Sequence, residues 1–389
     1  MKKLLFYVAF FSSVVLISSI GMVIAATLEH FRENFPHYFS GNLMIYIVSV
    51  ILSIWISISL HEIVHTIGYN IYKYRVRLFY VFPLCIVNDQ NKKLFSFAFN
   101  PYIGIGGIVI PEIPYNNKTL DLKQVNKVKS FSLMIAPIVS FLYGIISLLF
   151  FLKMEKYPVN IQPYLFSFLF SNILISAYIT LTSLISFGGI IGDFVGYNLM
   201  KTNKKFSINQ IYNDFCLQED NTKKVLRNTK TFIYEILSIF SKEEIQEIDS
   251  SICSMIDIVI YEWLVSNNHH AHEPKIDSLI LKISENNFSL IIEKLRFENY
   301  SRLFCHIIIY IYIYLDKTLA KSFWEKNKEL LSVSSFSKYC YNQCERLFDS
   351  SIASEKIVIS SNDSLLKRIP NYYSDEMVLN KIISDFSNK

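Results

Sequence analysis

Ser57-Ile58-Ser59-Leu60-His61-Glu62-Ile63-Val64-His65 is an HExxH motif, and it lies inside an apolar segment running from about Leu43 to Tyr72. On a helix, residues four apart share a face, turned by about 40° from each other in projection. His61 and His65 can therefore offer one ring nitrogen each to a single zinc ion, while Glu62 points about a quarter-turn away, free to hold a metal-bound water. The segment is long enough to cross a bilayer, where titratable groups are costly and are functional candidates by default. His-Glu-His buried without a metal would leave many polar groups to satisfy.

The frame around the motif is equally apolar. Half of the 389 residues are hydrophobic, a high share for a soluble chain. The long apolar runs fall in the first 200 residues, and the remainder reads as ordinary globular sequence. This predicts a transmembrane domain over 1–200 and a helical cytoplasmic domain over 201–389. The net charge of +5 makes no case for nucleic acid. The six cysteines form no CxxC pair and read as reduced structural thiols.

Four spans are expected, at about 4–26, 43–72, 131–152 and 161–187. The first follows Met1-Lys2-Lys3 and is longer than a signal-peptide core, so a retained helix is favoured; Ala25-Ala26-Thr27 still resembles a cleavage site. Basic residues orient the set. Lys2 and Lys3 precede the first span, nine Lys or Arg occupy 73–130 against Asp89, Glu112 and Asp121, and Lys201, Lys204 and Lys205 follow the fourth. The opposite loops hold only Arg32, Lys153 and Lys156. Both termini and the long loop are thus expected in the cytoplasm of a multi-pass cell-membrane protein. The motif, roughly 27 Å along its helix from Leu43, is expected at the cytoplasmic edge.

Within the long loop, 75–82 and 94–99 read as strands joined by a turn at Asn88-Asp89-Gln90-Asn91. Tyr102–Ile113, broken by Gly104, Gly106, Gly107 and Pro111, reads as a strand pair or a re-entrant segment. Beyond 206 the glycine-free sequence predicts helices at Thr229–Phe240, Ile252–Trp263 and Phe323–Leu331, and a buried helix at Phe304–Leu315. The fold class expected is mainly α: a polytopic membrane protein with about four transmembrane helices, a small β-containing cytoplasmic loop and a C-terminal helical domain.

A catalytic zinc needs a third protein ligand and an open position. Asp193 is the choice. It follows the fourth span at the predicted cytoplasmic face, and Gly188, Gly189, Gly192 and Gly196 crowd around it, letting the backbone bring a short carboxylate near another helix. The alternative is that it caps the next segment. Glu112 and Asp121, in the polar loop, are weaker candidates. His269, His270 and His272 cluster before Pro274 with a spacing that fits no defined catalytic pattern and read as a solvated loop.

His61-Glu62-Ile63-Val64-His65 in a membrane helix, with Asp193 at the end of a later one, resembles the site-2 protease family of intramembrane zinc metalloproteases. The resemblance covers roughly 43–200. It implies zinc held by His61, His65 and Asp193, with Glu62 as general base, and a membrane-embedded or hydrophobic peptide as substrate. The family's second motif commonly reads Asn-x-x-Pro and then Asp-Gly. Here the stretch is Ser183-Leu184-Ile185-Ser186-Phe187-Gly188-Gly189-Ile190-Ile191-Gly192-Asp193-Phe194, without that Asn, that Pro or the Gly after Asp. No PDZ-like insert of normal length is visible in 73–130. Those departures support an alternative: a catalytically inactive membrane binding or immunity protein that retains the fold.

Overall fold

A computed structural model describes residues 38, 42–89, 92–97, 106–114, 120–187, 190–218, 220–240, 250–266, 273–285, 299–331, 335–349 and 383. The expected first span at 4–26 and the histidine cluster at 269–272 lie outside these residues. The chain divides into two compact units, Met1–His61 with Pro137–Ile185 and Glu62–Ala136 with Ser186–Lys389. Two of the three divisions fall inside long helices, α1 (Leu43–Ile71) and α2 (Leu122–Phe151), and the third lies between Ile185 and Ser186.

Among the described residues, three helices are long and apolar enough to cross a membrane: α1, α2 and α3 (Gln162–Thr182). α1 contains no proline and one glycine, Gly68, so nothing interrupts its hydrogen-bond ladder. α2 starts well before the expected 131 because Asp121 caps it, its Oδ1 accepting from the backbone N–H of Lys123 and Gln124. α3 begins at Gln162-Pro163, where a proline's missing N–H costs nothing. It stops at Thr182, short of the expected 187.

In the first unit the pattern of a soluble protein is inverted. Ile51, Leu52, Phe141, Ile146, Leu149 and Leu181 are exposed, while Ser53, Ser57, Ser140, Ser147, Asn172 and Ser176 are buried. Hydrocarbon solvent rewards this arrangement, since polar side chains there must find partners inside the bundle. Asn172 Oδ1 accepts from Ser53 Oγ at 2.7 Å and from Ser57 Oγ at 3.1 Å, joining α3 to α1. A Cβ on Gly144 would sit 2.9 Å from that of Ser176, so α2 and α3 are in small-residue contact. One end is closed by Tyr38, Phe151, Phe166 and Phe170 in a cluster of rings.

The second unit carries a four-stranded antiparallel sheet in the order β3-β2-β1-β4. The strands are β1 (Val76–Val81), β2 (Leu84–Asp89), β3 (Lys92–Phe97) and β4 (Gly107–Pro111). β1 and β3 meet the expected strands with shifted ends. β2 is additional: Phe82-Pro83 turns the chain and Val81 pairs with Leu84. β4 lies in the glycine-broken stretch and pairs with β1 from Val76↔Pro111 to Val81↔Gly107. A second, two-stranded ribbon, β5 (Ser186–Phe187) with β6 (Ile190–Ile191), follows α3.

Among the described residues, the later part of this unit is helical: α4 (Asp193–Thr202), α5 (Lys204–Cys216), α6 (Asp220–Thr229), α7 (Thr231–Phe240), α8 (Ser250–Val265), α9 (Pro274–Glu285), α10 (Asn299–Tyr310), α11 (Lys317–Asn327) and α12 (Ser335–Phe348). The expected helix at Phe304–Leu315 is α10 with a π-turn over Ile311–Leu315. One core runs from Tyr69, Tyr74, Ile113 and Val128 through Met200, Ile211 and Phe215 to Trp263, Phe304 and Tyr310. Two buried carboxylates there have charged partners. Asp257 accepts from His306 Nδ1 and Arg302 Nε, both at 2.7 Å; burial pushes its carboxyl up, but Arg302 and His306 together hold it below the ordinary value. Lys129 Nζ of α2 lies 2.6 Å from Asp214 Oδ2 of α5 and also donates to the Gln210 carbonyl.

Candidate metal centre

α1 fixes His61, Glu62 and His65 in the last third of its length. Gly68, one turn on, lets α2 come close: a Cβ there would meet Ser132 Cα at 3.1 Å. The approach brings Ser132 Oγ to 3.1 Å from His65 Nδ1. Farther along α2, Ser140 Oγ lies 3.0 Å from His61 Nδ1. Both imidazoles are thus engaged at Nδ1.

Asp193 comes from the other side of the sequence. The β5–β6 ribbon turns the chain after α3, Gly192 takes an extended backbone as N-cap, and Asp193 is the first residue of α4. A Cβ on Gly196, one turn on, would lie 3.4 Å from Leu133 of α2. The Asp193 carboxylate therefore sits at a helix N-terminus, where negative charge is favoured, with Oδ2 3.3 Å from His65 Nε2.

His61, His65 and Asp193 each offer a ligand atom, and these atoms lie within 4.8 Å of one another. A tetrahedral ion with bonds of 2.0–2.2 Å separates its ligand atoms by about 3.4 Å. The His65–Asp193 distance already matches, and closing the remainder takes under about 1.5 Å of side-chain movement. Two nitrogens and one carboxylate oxygen form a donor set suited to zinc-like divalent ions.

Glu62 is buried and stands outside this ligand group. Its carboxylate lies against Gly107, the first residue of β4: a Cβ on Gly107 would be 2.8 Å from Glu62 Oε1 and closer still to Cγ. The glycine here is required by close approach. Gly107→Ala should push the Glu62 side chain out of place, lowering any Glu62-dependent reaction at least tenfold while leaving bound metal unchanged. Metal analysis beside a turnover assay checks this, and equal loss of both would place Gly107 in folding instead.

The structure thus brings His61, His65 and Asp193 together with Glu62 beside them. The weaker carboxylates are engaged elsewhere: Glu112 faces Arg75 at 3.5 Å and Asp121 caps α2. Sequence reasoning missed Ser132, Ser140 and Gly107. Hydroxyls inside an apolar span were the available signal for the two serines.

No protein-family model, curated protein or solved structure matches this chain. The reading of the site rests on its own geometry and chemistry.

Proposed function

We propose that this protein is an intramembrane zinc metalloendopeptidase of the site-2 protease kind. Its substrate is a membrane-embedded or hydrophobic peptide, cut near the cytoplasmic face of the cell membrane. The observation that carries the proposal is the placement of one Asp oxygen and two His nitrogens within 4.8 Å, beside a buried Glu that is not one of them. Charge supports a divalent ion. Two neutral imidazoles, the Asp193 carboxylate and the Glu62 carboxylate sum to −2, so a dication leaves the site neutral at a depth where net charge is costly.

His61, His65 and Asp193 would hold the ion. Bound there, zinc supplies a Lewis acid that polarises the scissile carbonyl and acidifies its water. Glu62 would act as the general base, its carboxylate taking a proton from the attacking water and giving one to the departing amine. Gly107 keeps the Glu62 carboxylate from swinging away. The substrate must be extended, because a helical peptide bond is shielded. Among the described residues β4 is an edge strand, and an extended chain held there by strand addition would use its outer backbone groups. The excess of Lys and Arg in 73–130 and after α3 supports cytoplasmic placement of the site and of both termini.

The test uses the full chain purified in detergent. The wild type should carry about one zinc per chain. His61→Ala and Asp193→Ala should each lose it, and wild-type protein in proteoliposomes should cleave hydrophobic peptides in a chelator-sensitive way. A wild type that cannot be loaded with zinc would overturn the reading and favour a binding protein.

A further inference from the structure

The geometry points to Ser132 as a positioning residue that fixes the His65 ring in the one tautomer able to bind a metal through Nε2. This inference rests on the metal-centre part of the reading above and is independent of whether a peptide is cut.

A serine hydroxyl has one proton to give and two lone pairs to receive. Ser132 Oγ lies 3.2 Å from the His65 backbone carbonyl, which can only accept, so the hydroxyl proton is committed there. Toward His65 Nδ1, 3.1 Å away, Ser132 must then act as acceptor, and Nδ1 must carry the hydrogen. Tyr69, one turn past His65, lies beside the same hydroxyl, and a phenol has its own proton to give to the second lone pair. Ser132 is buried with no exposed surface, and water cannot offer a substitute acceptor.

With Nδ1 protonated, the lone pair of the neutral ring lies on Nε2, the atom 3.3 Å from Asp193 Oδ2. In water a free histidine side chain favours the opposite tautomer, with the hydrogen on Nε2 and facing where the ion would sit. Ser132 thus does what a carboxylate or carbonyl does behind many ligating histidines. It does so without charge, and the sum of site charges given above depends on that. A carboxylate at 132 would leave the site at −1 with a dication bound. Gly68 belongs to the same device, since its missing side chain is what allows Ser132 to reach the His65 carbonyl.

The test begins with metal-free protein. The full chain, labelled with 15N-histidine and held in lipid nanodiscs at a pH where imidazoles are neutral, is examined by solid-state NMR. His65 is assigned by its loss in His65→Ala. The wild type should show the hydrogen on Nδ1 of His65, and Ser132→Ala should show it largely on Nε2. Cobalt titration of the same samples should show affinity lowered by about 10–100-fold in Ser132→Ala. Ser147→Ala, which removes another buried serine of α2, should change neither readout. Gly68→Ala gives a second route, moving Ser132 away with its hydroxyl intact, and should shift the tautomer in the same direction. A wild-type ring protonated on Nε2, an unchanged tautomer in Ser132→Ala, or a cobalt affinity within about twofold of wild type would each overturn the assignment. A protein with the expected tautomer and cobalt affinity but no peptide cleavage would overturn only the protease reading.

Discussion

Glu62→Gln is expected to lower peptide hydrolysis by about 10²–10⁴-fold while about one zinc per chain stays bound. Such a fall is about 3–5 kcal/mol of transition-state stabilisation. Glutamine matches glutamate in shape, so the packing against Gly107 survives. What is lost is the basic oxygen. The amide cannot take the proton from water, and its NH2 group presents hydrogens toward the nucleophile. The ligand atoms of His61, His65 and Asp193 are untouched, so metal content separates this variant from the ligand variants. Full activity in Glu62→Gln would remove Glu62 from the mechanism, and loss of metal along with activity would make it a ligand.

Asp214→Ala is expected to destabilise the protein by about 3–5 kcal/mol, because it leaves the Lys129 ammonium buried and unpaired. The side chains of Lys129 and Asp214 are only 10% and 11% exposed. Burial pushes the Asp214 carboxyl above its ordinary value, and the adjacent Lys129 draws it back only in part. Lys204 and Glu235 form an equally short pair at 2.6 Å but are 55% and 35% exposed. Glu235→Ala should therefore cost no more than about 1 kcal/mol. Thermal unfolding of the three proteins in one detergent checks the contrast. Lys129→Met combined with Asp214→Leu should recover much of the loss, since the penalty lies in the orphaned charge and not in the missing pair. Equal midpoints for Asp214→Ala and wild type would show that water reaches Lys129.

The parts of the fold legible in the sequence are those written in periodicity and hydropathy. The HExxH motif lies on an unbroken helix, Ile252–Trp263 is helical as its spacing predicts, and the helix expected at Thr229–Phe240 is α7, which starts at Thr231 after a break at Lys230. Hydropathy marks where a helix enters an apolar medium and not where it ends. Lys123, Asn126, Lys127 and Lys129 made the start of α2 read as loop, although the Asp121 cap had already begun it. Ser183–Phe187 is apolar like the helix before it, and a short apolar run cannot tell a helical turn from the β5 strand. β2 was hidden by Pro83 at its threshold, although Leu84-Cys85-Ile86-Val87 is a compact apolar run.

At the site, HExxH announces two ligands and a base by spacing alone. Asp193 was reached from the glycines around it, and the two described ones, Gly192 and Gly196, act differently from the expectation. Gly192 is an ordinary extended N-cap, and Gly196 works by packing against Leu133. Ser132 and Ser140 were legible only as hydroxyls inside an apolar span; their role was not, because a serine facing lipid and a serine facing an imidazole look the same in a string of letters.

α1 carries Ser49, Ser53, Ser57, His61 and His65, a polar group at every fourth position. Each step turns about 40° around the helix, so the polar line winds instead of running straight. Ser53 and Ser57 meet Asn172 of α3, while His61 and His65 meet Ser140 and Ser132 of α2. One inserted or deleted residue between Ser57 and His61 would swing the histidines by about 100° and slide them 1.5 Å, while the serines stayed on Asn172. In descendants of this chain, α1 can therefore change its lipid-facing letters freely but not its length. Its tolerance to mutation should be wide for substitutions and close to nil for single-codon insertions.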